Sequence, residues 1–95
     1  MTENKLTVEH NGFTASYYFR FKKYFVIETN FNPFNSIDFF MDMQKPPEVV
    51  GVQSIETTNG NGTVIIQLRT DSPIFDEFDF MTKFDLNFKK HFDTI

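Results

Sequence analysis

The final two dozen residues constrain the fold more than any other stretch. Ile74, Phe78, Met81, Phe84, Phe88, Phe92 and Ile95 recur at steps of three and four. At 3.6 residues per turn they form one apolar stripe about 120° wide, the pattern of a helix laid on a core. Pro73 suits the first helical position, where its missing N–H is harmless, and Asp71 or Ser72 can cap the helix. Asp76, Glu77 and Asp79 crowd its start and Lys83, Lys89, Lys90 and His91 its later turns, as the helix dipole favours. Residues 83–88 also alternate as a strand would. Asp and Asn are poor strand formers, however, and the helical spacing runs longer.

The preceding residues supply a sheet for that helix to cover. Leu6, Val8 and His10 alternate with polar neighbours and lead into Asn11-Gly12, the strongest short-range hairpin signal. From Phe13 to Phe31 apolar residues hold the odd positions, broken only at Lys23 and Thr29. That run is too long for one strand of a small domain, so a break is expected near Lys22-Lys23. A three-residue loop there, or one long strand that merely bends, keeps Phe21 and Phe25 on one face; a two-residue loop would turn Phe25 and Ile27 outward.

Asn32-Pro33-Phe34-Asn35 reads as a turn, after which Asn35 or Ser36 can cap a short helix with Ile37, Phe40, Met41 and Gln44 on its inner face. Pro46-Pro47 ends it. Val49–Thr58 and Thr63–Thr70 are β-rich and joined by Asn59-Gly60-Asn61-Gly62, a second hairpin, with Gly51 as a candidate bulge. Val64, Ile66 and Leu68 point to the core. The order βββαββα predicts an α+β fold for residues 1–95 as a single small domain: an antiparallel sheet of about five strands with two helices packed on one face.

Composition removes several functional classes. There is no cysteine, which excludes disulfides, thiol nucleophiles and thiolate metal sites. The longest apolar run, Val49–Val52, is far too short for a membrane span, and no apolar region follows the polar N-terminus as in a secretory signal. A cytoplasmic protein is the expectation. Abundant Phe, Asn, Ile and Lys beside a single Ala point to an AT-rich coding sequence, such as that of a phage or mobile element.

No chemistry-bearing constellation emerges. His10 and His91 belong to no ligand-spaced pair. Asp76, Glu77 and Asp79 lack the glycine-centred spacing of a calcium loop. Asn59–Gly62 joins two strands rather than opening a helix, so it is no phosphate cradle. The expectation is a non-enzyme without metal or cofactor.

Two surfaces remain as candidate sites. Phe75 and Leu86 fall outside the helical stripe beside Asp79 and Asp93, and residues 48–95 carry eight acids against four bases. Apolar groups rimmed by acids point to a protein-binding surface for a basic partner. Fourteen phenylalanines in 95 residues exceed what a small interior readily holds, which points further to self-association as a homodimer. The first reading is therefore an acidic protein-binding module: an inhibitor, adaptor or chaperone-like factor. The alternative is single-stranded nucleic-acid binding through Tyr18, Arg20, Lys22, Lys23 and Tyr24, which interleave aromatics and bases. The net charge of −4 opposes it. A third variant turns that charge to use, with carboxylates mimicking the phosphates of DNA.

Overall fold

Two Asn-Gly pairs fold the sheet. Asn11 and Gly12 have φ of 53° and 85°, and Asn59 and Gly60 have 55° and 82°. Two successive positive angles define the tight turn whose twist matches paired strands. The first joins β1 (Leu6–His10) to β2 (Phe13–Arg20); the second joins β4 (Val49–Thr58) to β5 (Asn61–Leu68). Between them lie β3 (Tyr24–Thr29), a 3-10 turn (Pro33–Ser36) and α1 (Ile37–Asp42), and α2 (Glu77–Asp93) follows. The structure, a computed structural model, describes residues 5–21, 23–69 and 76–93.

The five strands form one antiparallel sheet in the spatial order β1-β2-β3-β5-β4. The chain order is the expected one. In space, β5 rather than β4 lies beside β3, so α1 and its flanking turns carry the chain past β5 to the far edge. Residues 59–60 alone make the second turn; Asn61 and Gly62 already belong to β5. On β4 the register shifts twice, between Val49 and Gly51 and between Val52 and Ser54, so one irregularity lies next to Gly51, which itself pairs with Gln67, and another follows Val52. Gln44 Oε1 accepts from the Val52 N–H at 3.1 Å. Bulges and a side chain capping an edge amide both discourage strand addition from outside.

The helices cover the face bearing Val8, Ala15, Tyr17, Phe25, Ile27, Val64, Ile66 and Leu68, all buried. From α2, Phe80, Phe84, Phe88 and Phe92 are buried, a row of four-residue steps. Phe80 meets Phe25 at 5.0 Å between ring centroids, Phe84 meets Tyr17 at 4.8 Å, and Phe92 meets Phe13 at 4.6 Å. The helix therefore runs from the β2–β3 hairpin toward the β1–β2 hairpin. There Asn11 Nδ2 donates to the Phe92 carbonyl at 2.9 Å and His10 pairs with Asp93 at 2.9 Å. The first Asn-Gly turn thus both closes a hairpin and ties down the last turn of α2.

Several expectations need correction. The helical stripe is rotated: Phe78 is 76% exposed and Phe80 takes the buried position. Asp76 is the cap, its Oδ1 accepting from the Asp79 N–H at 3.1 Å. Asp71, Ser72, Pro73, Ile74 and Ile95 lie outside the described residues. In α1 the buried residues are Phe39 and Phe40, and Met41 is exposed. The preceding 3-10 turn, capped by Asn32 Oδ1 accepting from the Phe34 N–H at 2.9 Å, advances three residues per turn and so shifts the helical phase. Ser36 makes no side-chain cap bond.

The β2–β3 joint is a three-residue loop, and Phe25 and Ile27 face the core. Phe21 does not: its φ is 58° and it is 79% exposed. The strand ends at Arg20, and the left-handed backbone at the next residue ends the alternation.

Tyr17 bridges the layers. Its Oη donates to Asp85 Oδ1 at 3.4 Å. Burial pushes the phenol up to about 12, and the negative charge and hydrogen bond of Asp85 add to the shift. An unfolded tyrosine ionises near pH 10. Between these values the folded chain keeps a proton that the unfolded chain releases. This share of stability is therefore complete below about pH 10 and declines as pH rises toward about 12. Urea unfolding at about pH 9 and about pH 11 should show the loss, and Tyr17→Phe should reduce it.

Candidate functional site

Phe75 lies outside the described residues, and the other members of the predicted acidic surface do not converge. Asp79 is held by Lys83 at 3.0 Å, one helical turn away, and Asp93 by His10 at the opposite end of α2. Leu86 is 62% exposed and points away from the sheet.

What sequence reading missed is a cleft of 850 Å³ beside this surface. It lies between α1, the turn after it, and α2. Phe39, Met43, Phe80 and Phe84 give it an apolar floor, and Pro46 and Pro47 form part of its wall. Four-residue steps on α2 place Lys83, Asn87 and His91 along the opposite wall, with Lys90 at the rim. Leu86 stands one row farther out, three residues from Lys83 and four from Lys90. The Asp79–Lys83 pair and Leu86 therefore flank the cleft.

The rim is of mixed sign. Asp42 pairs with Lys45 at 3.1 Å. The hydrogen bond and charge of Asp79 raise the Lys83 pKa, and the negative Glu48 adds to the rise. Lys83 therefore stays protonated between two carboxylates. The His91 ring lies 5.1 Å from that of Phe39, at one end of the floor. Aromatic floor residues and proline walls make this an apolar depression with charged edges, suited to holding apolar side chains. Among the described residues no group of three His, Cys, Asp or Glu side chains could hold a metal ion.

The nucleic-acid candidates lie elsewhere. Tyr18, Arg20 and Tyr24 share the sheet face that bears no helix, Arg20 being paired in register with Tyr24. Lys23 turns its ammonium over the Tyr24 ring at 5.5 Å. Lys22 lies outside the described residues. The same face also carries Glu28 and Glu56, brought into one row through Thr63. A strand of nucleic acid crossing it would leave the basic end and meet carboxylates.

No helix is long and apolar enough to cross a membrane, among the described residues. No protein-family model, curated protein or solved structure matches this chain.

Proposed function

We propose that this chain is a non-enzymatic protein-binding module that receives an apolar segment of a partner protein in the cleft between α1 and α2. The supporting observation is the cleft itself: apolar floor, proline wall and charged rim form a concave site. Leu86 and Phe78 extend exposed apolar surface along the same helix. The net charge of −4 draws a basic partner at long range, while the apolar floor supplies short-range affinity. An inhibitor or adaptor that covers a partner's exposed side chains would use such a site. The mixed charge of the open sheet face makes nucleic acid the weaker reading.

The test is capture of the partner from the native host, with mass spectrometry to identify it, using wild-type bait and Asn87→Tyr/Lys90→Glu. Both replaced residues are exposed, so the fold should persist. Tyrosine at 87 should fill the cleft and weaken partner binding by about tenfold or more. Equal affinity of wild type and this variant for the identified partner would move the binding surface elsewhere.

A further inference from the structure

The open sheet face has an internal symmetry that the cleft does not share. Register aligns its side chains in rows across the strands. The middle row runs Tyr18, Val26, Ile65, Ser54. One step toward the β2–β3 turn lies the row Arg20, Tyr24, Gln67. One step the other way lies Ser16, Glu28, Thr63, Glu56. A row that is apolar on β3 and β5 and ends in Ser54 on β4 thus has a cationic, aromatic row on one side and an anionic row on the other, each about 7 Å away.

The middle row is already packed. Val26 is 2% exposed although no described helix covers this face. Lys5 lies over the Tyr18 ring at 5.2 Å and donates to Glu28 at 2.9 Å. Arg20 lacks such an arrangement: its Nε is buried without an acceptor, and no acid among the described residues forms an ion pair with it. Its guanidinium carbon lies 6.0 Å from the Phe21 ring centroid.

We infer that this face binds a second copy of the chain, sheet against sheet, about a two-fold axis along the Tyr18–Val26–Ile65 row. Rotation about that line turns the sheet over, reverses its strands and exchanges the flanking rows. Arg20 of each copy then stands over the Ser16–Glu28 row of the other, and the apolar rows meet at the centre. A two-fold axis along the strands would instead set Arg20 over its own row and Glu28 over its own, like charge against like. The opposite charges of Arg20 and the Glu28–Glu56 row therefore favour this occupant and this axis, with Lys5, paired to Glu28, near the axis itself. A single nucleic-acid strand satisfies only the Arg20 side and is repelled by the other. The helices and cleft lie on the opposite layer, so this inference stands apart from the proposed partner site.

The footprint is about five strands by six residues, at the small end of stable interfaces, so the dimer should dissociate on dilution and weaken with salt. Sedimentation equilibrium of wild type should show a monomer–dimer equilibrium. Arg20→Glu and Glu28→Arg should each weaken self-association by about tenfold or more, because each sets like charges across the axis twice. An equimolar mixture of the two variants should associate again as a heterodimer, since both cross-axis pairs are then opposite in sign. The double variant Arg20→Glu/Glu28→Arg should recover the homodimer and guards against misfolding of one single variant. A wild type monomeric at all concentrations overturns the inference, as do an unaffected Arg20→Glu dimer and a mixture that stays monomeric. Displacement of the dimer by a single-stranded oligonucleotide bound at Tyr18 and Arg20 would also overturn it.

Discussion

Replacing Phe25 with alanine should remove about 3–5 kcal/mol of stability, a large part of the 5–15 kcal/mol that typically holds such a domain. The ring is fully buried on the central strand β3. It lies 5.7 Å from Tyr17 and 5.0 Å from Phe19 on β2, and 5.0 Å from Phe80 and 5.4 Å from Phe84 on α2. Its removal therefore costs the transfer energy of the ring and also opens a void between two layers. Neither can close it freely, because β3 is hydrogen-bonded on both sides and the rest of the Phe row pins α2. The urea midpoint should fall sharply with little change in slope. Phe25→Leu should lose less, since most of the volume is retained. Phe78→Ala, at an exposed position of the same helix, should stay within about 0.5 kcal/mol of wild type. A loss below about 1 kcal/mol for Phe25→Ala would mean that α2 does not rest on β3 through this ring.

The contrast between Phe25 and Phe78 marks how far sequence reading reached. Alternation assigned Phe25 and Ile27 to the core because a pleated strand has only two faces. The Asn-Gly turns were legible because few other dipeptides take two positive φ angles in succession. The C-terminal helix was legible as a period but not as a rotation. Phe78 and Phe80 are two phenylalanines about 160° apart on the wheel, and composition does not choose between them. The seat of Phe80 on Phe19 and Phe25 chooses, and that is a contact across more than fifty residues of chain. Phe21 shows the same limit at a strand end, where one left-handed residue overrides the pattern.

The candidate surfaces were less legible than the elements. Residues 39–48 and 80–91 form the cleft only because both helices pack on one face, and neither segment has a motif of its own. The rows of the open face depend on β5 lying between β3 and β4, a choice of neighbour that no strand announces. Tyr18 and Arg20 could be placed on one face from their spacing. Glu28 and Glu56 could not be placed beside them, and those acids change what the face can bind.

Gly62→Ala should destabilise the protein by about 3 kcal/mol, the upper end of the usual cost of overpacking. In the sequence Gly62 looks like the last residue of a flexible turn. The turn ends at Gly60, and Gly62 lies within β5, paired with Thr29 on one side and Thr57 on the other. A Cβ there would sit 2.1 Å from Pro33 Cδ and 2.5 Å from Pro33 Cγ, with Thr29 Oγ1 at 3.0 Å. Gly62 lacks a positive φ, so the requirement is for space and not for backbone freedom. The obstacle is also rigid: Pro33 is buried in the 3-10 turn that starts α1, and its ring has no rotamer to escape into. Relief must come from shifting that turn, which would carry Phe39 and Phe40 with it and disturb the cleft floor. The substitution should therefore lower the urea midpoint and, in whatever remains folded, weaken partner binding at the cleft. Gly60→Ala serves as the comparison. Its Cβ meets nothing within 4 Å, so only the strain of φ 82° opposes it, about 1–2 kcal/mol, and the cleft should be unaffected. Equal stability of Gly62→Ala and wild type would show that the turn before α1 does not press on β5, and with it would go the reason that the first helix and its side of the cleft stand where they do.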